Sequence, residues 1–196
     1  MLPSTTYRAA AFIAAAGRLD LDLTIGSDHR STLAAAQPAR LLALNFESPA
    51  SIAAAAREFH ARYPVAAVLG VNDETAVVAA VVAEALGLAH NSVEACRAAG
   101  DKYRQRVLLT REGLPVPPFT RLTFHDDLAG YAATARYPCV VKPTRLSMSR
   151  GVMRADDPAG LLRAAERLRA ILAEPEAARI YGEAADQLLV EQFIPG

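Results

Sequence analysis

Residues 137–152 read Tyr137-Pro138-Cys139-Val140-Val141-Lys142-Pro143-Thr144-Arg145-Leu146-Ser147-Met148-Ser149-Arg150-Gly151-Val152. Cys139 to Lys142 has the length and β-branched content of a strand. Pro143 to Gly151 then reads as a loop, and Val152 to Ala155 as a second strand. The two-residue period of a strand puts Lys142 on the face of Val140, with Cys139 opposite as a small core residue. The loop offers hydroxyls at Ser147 and Ser149, guanidiniums at Arg145 and Arg150, and backbone amides. Such a set can wrap phosphate oxygens.

Outward from this segment, the second half of the chain alternates between strand and helix. Short helices are expected over Ser92–Ala99 and from Asp101 to about Glu112, each closed by a glycine. Pro115, Pro117 and Pro118 form a stiff connector. A strand near Phe119–Phe124 and a helix near Asp126–Arg136 follow. Leu161, Leu162, Ala165, Leu168 and Leu172 mark a long amphipathic helix, and Leu188-Leu189-Val190 an apolar strand running into Glu191.

The first 90 residues read as a βα alternation, hence a parallel sheet with helices on its faces. Helices are expected from about Thr6 to Arg18 behind hydroxyl caps at Ser4 to Thr6, up to Gln37-Pro38, over Ile52–Tyr63, and over about Asp73–Leu86. The strands are Leu21–Ile25, Leu41–Phe46 and Val65–Val71, the last an apolar run of the buried parallel type. No strand precedes the first helix, which starts after Leu2 and Pro3, so that strand is either absent or lies upstream of Met1.

The 196 residues are 52% apolar and 21% charged, enough for a core, with 21 basic residues against 21 acidic ones. That balance argues against a general nucleic-acid binder or a polybasic membrane protein. No membrane-span-length apolar run and no signal-peptide pattern is present, and Cys96 and Cys139 suggest neither a disulfide framework nor a zinc site. A soluble, cytoplasmic protein is expected. The eleven glycines lie at least nine residues apart, whereas dinucleotide fingerprints and P-loops need closely spaced glycines. A nicotinamide oxidoreductase and a Walker-type NTPase are thereby excluded.

Of the 21 basic residues only two are lysines, Lys102 and Lys142. A lysine kept against so strong an arginine bias points to a need for a compact ammonium. Lys102 stands in the first turn of a helix, where backbone N–H groups and the macrodipole already favour an anion. Glu191 follows a buried-type strand and precedes Phe193-Ile194, a setting in which a carboxylate and backbone groups can hold an adenine ring. Asp28, Asp73 and Glu74 read as helix caps, and the four scattered histidines form no dyad.

In order, Gly100-Asp101-Lys102, Gly113-Leu114-Pro115-Val116-Pro117, Tyr137-Pro138-Cys139-Val140-Val141-Lys142-Pro143, Ser149-Arg150-Gly151-Val152 and Val190-Glu191-Gln192-Phe193-Ile194-Pro195-Gly196 resemble the ATP-grasp superfamily, which includes biotin carboxylase and D-alanine–D-alanine ligase. The resemblance implies an α/β fold: a Rossmann-like pre-ATP-grasp parallel-sheet domain over 1–95, connecting helices and linker over 96–118, and the first half of an ATP-grasp α+β module over 119–196. It implies that Lys102 and Lys142 reach ATP phosphates, that Ser147 and Ser149 lie in the loop folding over them, and that Glu191, Gln192, Phe193 and Ile194 hold adenine. The implied reaction is attack of a carboxylate on the γ-phosphate, with capture of the acyl phosphate by an amine or thiol. Magnesium bridges the phosphates. The implied partners are small carboxylate and amine substrates, with no nucleic acid or membrane.

Two departures bear on this. The 144–151 loop has one glycine where many relatives have several. The family's ribose-binding acid and magnesium ligands would fall beyond Gly196, so the 196 residues are expected to be a fragment or short product that is inactive as a ligase. The alternative is a non-catalytic nucleotide-binding module acting through a partner.

Overall fold

The computed structural model describes residues 9–28, 40–46, 48–175, 177 and 181–195. They fall in two compact units, 1–97 and 98–196.

In the first unit, helix α1 (Ala9–Arg18) precedes two three-residue strands, β1 (Ile25–Ser27) and β2 (Leu41–Ala43), paired in parallel with Ile25 opposite Leu41. Helix α2 (Pro49–Arg62) starts with proline at its first position, behind the Ser48 cap, whose hydroxyl accepts from the Ser51 amide. Helix α3 (Asp73–Ala85) opens on a reciprocal cap: Asn72 Oδ1 accepts from the Thr75 amide, and Thr75 Oγ1 accepts from the Asn72 amide. Leu44, Ile52, Ala56, Val78, Val81 and Val82 make the core of this unit.

Two expected strands differ here. The ladder of β1 begins at Ile25, where the Leu21–Ile25 reading ended, and Leu21 is 61% exposed. Alternation marks an extended chain, but a facing strand decides where pairing starts. Val65–Val71 forms no strand among the described residues; Val68 packs on the core while Leu69 is 70% exposed. An apolar run reports composition, not a ladder. At its end Gly70 lies so close to α3 that an added Cβ would fall 2.6 Å from the backbone of Ala76 and of Thr75. The expected Ser4–Thr6 caps and the helix before Gln37-Pro38 lie outside the described residues.

After α4 (Val93–Ala99), the second unit contains α5 (Lys102–Arg111), β3 (Phe119–Thr123), α6 (Leu128–Thr134), β4 (Cys139–Pro143), β5 (Met153–Ala155), α7 (Pro158–Leu172), a 3-10 turn (Gly182–Asp186) and β6 (Gln187–Gln192). Its strands form one antiparallel sheet in the order β3-β6-β4-β5. Helix α7 starts at the Asp157 cap and buries Leu161, Ala164, Ala165, Leu168 and Leu172, a stripe at helical spacing. That stripe packs with Cys139, Val141, Ala155, Leu188 and Val190, the odd-numbered face of β4 and the even-numbered face of β6. The register places Phe119, Glu191, Val140 and Arg154 in one row across the opposite face, with Arg121, Leu189 and Lys142 in the next. Helix α5 covers part of this second face: Tyr103 meets Phe119 edge-on at 6.0 Å, and the Arg121 guanidinium lies 4.3 Å from the Tyr103 ring.

Candidate functional site

Three local choices bring the chemistry together on that second face. Asp101 caps α5 by accepting from the Arg104 amide, which fixes Lys102 at the first helical position. The Lys102 amide donates to the Thr144 carbonyl at 2.8 Å, and its ammonium donates to the Leu146 carbonyl at 2.7 Å. One residue therefore ties the start of α5 to the segment that follows Lys142, and both lysines of the chain serve one end of one sheet.

Lys142 and Glu191 sit diagonally on neighbouring strands, since Val140 is the residue opposite Glu191. The Lys142 ammonium donates to Glu191 Oε2 at 2.5 Å. Arg106, one turn after Lys102 on α5, adds a two-point contact: Nε to Oε1 at 2.9 Å and Nη2 to Oε2 at 3.4 Å. The side chains are 6% (Glu191), 11% (Lys142) and 19% (Arg106) exposed, so the charges are paired largely away from water.

The loop between β4 and β5 bends without the help of several glycines. Leu146 (φ +110°), Met148 (+57°) and Ser149 (+57°) all have positive φ, as does Gly151 (+77°). Such values are uncommon for residues with a side chain and cluster at ligand sites. Gly151 is the position where glycine is required, because a Cβ would also lie 2.7 Å from Leu168 Cδ1. Ser147 and Ser149 are exposed and Met148 is 96% exposed, so the loop tip faces solvent. Within the described residues the Thr144 hydroxyl is buried with no hydrogen-bond partner.

At the other end of β6, the Gln192 amide donates to the Pro118 carbonyl (2.9 Å) and the Phe193 amide to the Pro138 carbonyl (3.1 Å). Two of the backbone amides in the segment expected to hold adenine are thus engaged with the protein, and the Ile194 side chain is 65% exposed. The Arg154 guanidinium lies 4.4 Å from the Phe193 ring. A cavity of about 240 Å³ opens near the β3–β6 end, its walls including Phe119, Tyr131, Cys139 and Gln192; neither lysine lines it. Burial pushes the Cys139 thiol up from its ordinary value, which fits an inert core residue.

The structure brings Lys142 and Glu191 into contact on one face of the sheet and ties Lys102 to the segment after Lys142, whereas Gln192, Phe193 and Ile194 lie toward the end of β6 away from the Ser147–Ser149 loop. Sequence reasoning missed Arg106 and Thr144. The signal for Arg106 was its four-residue spacing from Lys102, which places both on one helix face.

A parallel strand pair in the first unit and a four-stranded antiparallel sheet backed by helices in the second define a mixed α/β protein. A family model described as the ATP-grasp domain matches residues 135–196. A D-alanine–D-alanine ligase of Methylococcus capsulatus is 39% identical over 67 residues, 34% of this chain and 22% of the relative. An L-amino acid ligase from Bacillus licheniformis superposes with a TM-score of 0.69 at 24% identity, covering 99% of this chain and 46% of that one. The biotin carboxylase domain of a Hydrogenobacter thermophilus 2-oxoglutarate carboxylase, solved with MgADP and bicarbonate, gives 0.57 at 19% identity, covering 95% and 42%. Residues 135–196 match the ATP-grasp domain, and the chain as a whole shares the fold of these two solved structures. It spans less than half the length of each of these three relatives.

Proposed function

We propose that the chain binds ATP through the 98–196 unit, as part of a ligase that joins a carboxylate to an amine or thiol by way of an acyl phosphate. Residues 1–95 are read as the preceding Rossmann-like domain and 119–196 as the first half of the ATP-grasp module. The observation that carries the reading is that Lys102 is tied at two points to the segment following Lys142, while the Lys142 ammonium pairs with Glu191.

The residues fit a nucleotide. Lys142 presents a buried, oriented ammonium, and an ammonium has three donors, of which the Glu191 contact uses one. Thr144 holds a hydroxyl that nothing in the described protein satisfies. In this reading the exposed Ser147 and Ser149 hydroxyls and the loop amides fold over the phosphate oxygens. Past Phe193 the exposed Ile194 is the part of residues 191–194 available to a base. Each of these groups binds and orients, which is most of what phosphoryl transfer asks of a protein.

Among the described residues no group of three or more His, Cys, Asp or Glu comes together, and magnesium would be held chiefly by the nucleotide's phosphates, which need only one or two carboxylates beside them. The reading gives these 196 residues nucleotide binding, and the ligase reaction belongs to the whole protein.

Calorimetric titration of ATP into the wild-type chain and Lys142→Ala tests the reading. Losing one charge-assisted bond should weaken binding by about 10- to 150-fold. Equal affinity in the two proteins would refute the site.

A further inference from the structure

The Arg106–Glu191–Lys142 cluster holds two cations and one anion, a formal charge of +1. The two cations are not equivalent. Arg106 grips the carboxylate at both oxygens with its planar fork, whereas Lys142 makes a single contact to Oε2. Strand register sets the diagonal placement of Glu191 beside Lys142, so the carboxylate accompanies the lysine whether or not a ligand is there. A buried carboxylate in that place would, alone, cancel the charge of the ammonium and leave a neutral pair facing the loop.

We propose that Arg106 is the counter-ion of Glu191: by taking up the carboxylate's charge it leaves the Lys142 ammonium positive toward phosphate. The inference rests on the nucleotide reading above. Arg106 then acts through Glu191 and need not touch the ligand, which makes it a positioning residue. Its placement follows from α5, since the helix whose first residue is tied to the Thr144–Leu146 segment presents Arg106 one turn later over Glu191.

Inorganic tripolyphosphate is the suitable probe, because it has no base for residues 191–194 to contact. Its affinity for the full chain is measured by calorimetry at fixed ionic strength for wild type, K142A, R106Q, R106K and R106Q/E191Q. R106Q takes the cluster from +1 to 0 and should bind at least about tenfold more weakly. R106Q/E191Q restores +1 by deleting the anion and should recover to within about threefold of wild type. R106K keeps the charge and should recover comparably. Rescue by a second deletion is not expected if Arg106 merely braces the fold.

If K142A weakens binding while R106Q does not, or while R106Q/E191Q stays as weak as R106Q, the counter-ion role is overturned and the nucleotide reading stands. If K142A binds tripolyphosphate like wild type, or the wild-type chain binds none, the nucleotide reading fails and this inference with it. Should R106Q not fold by circular dichroism, the other pair decides. Recovery in both R106K and R106Q/E191Q supports the role, and weak binding by the double variant beside a normal R106K refutes it.

Discussion

The two units of the chain are nearly equal in length but differ in how their sheets are made. Among the described residues the first pairs two three-residue strands over a cluster of six buried residues, and the second pairs four strands of three to six residues over a cluster of twelve. Burial in the first unit rests mainly on helices α2 and α3, whereas in the second it rests on a sheet with α7 across one face. A wide sheet fixes side chains in rows, which is how Lys142 and Glu191 come to lie within reach of each other. A two-strand ladder fixes little beyond its own register.

That contrast can be broken most forcefully in the core of the second unit. Leu168 is fully buried beneath the sheet, and Leu168→Ala should cost about 2–5 kcal/mol through lost burial and a cavity. Hydrogen exchange should speed at Val141 and Leu189 and stay unchanged at Ile52 and Val82. An equal rise in both sets would mean that the units unfold as one. In the first unit the corresponding weak point is backbone rather than core. Gly70→Ala forces a Cβ against the start of α3 and should destabilise that unit by about 1–3 kcal/mol, read as faster exchange in α3.

A smaller effect of opposite sign is expected next to the site. Thr144→Val replaces a buried, unpartnered hydroxyl by a methyl of the same shape, and should stabilise the second unit by about 1 kcal/mol. Urea unfolding would show it as a higher midpoint with an unchanged slope. A lower midpoint would mean that the hydroxyl is engaged after all.

The smallest effect is at Asp126, whose Oδ2 accepts from the Thr123 amide (2.6 Å) and hydroxyl (2.9 Å). The Thr123 amide first and then its hydroxyl hold this carboxyl below its ordinary value. A depressed folded-state value adds stability that is present above the unfolded value, near 4, and is lost as pH falls through the folded one. Asp126→Asn should therefore flatten the acid side of the stability profile. An unchanged profile would show that these bonds add nothing in solution.

The second unit was more legible in the sequence than the first, and the reason is physical. Lys142, Cys139 and the Leu161–Leu172 stripe announce themselves by local period, and their partners in the sheet are themselves clear patterns. Val65–Val71 was misread because seven nearly apolar residues say nothing about a neighbouring strand. The start of β1 slipped because Leu21-Asp22-Leu23 alternates without reaching the ladder. In the site, the two lysines stood out against nineteen arginines, and by the same arithmetic Arg106 was hidden among them. Its role depends on an 85-residue separation from Glu191, which no local pattern encodes.

The positive φ values at Leu146, Met148 and Ser149 carry a last consequence. A glycine enters that region freely but also visits many others, whereas a residue with a side chain has few alternatives once there. Three such residues in a row of four narrow the range of shapes open to the strap between β4 and β5. Whatever settles beneath it meets a cover with a small repertoire, and replacing Met148 by glycine would widen that repertoire without removing a polar side chain.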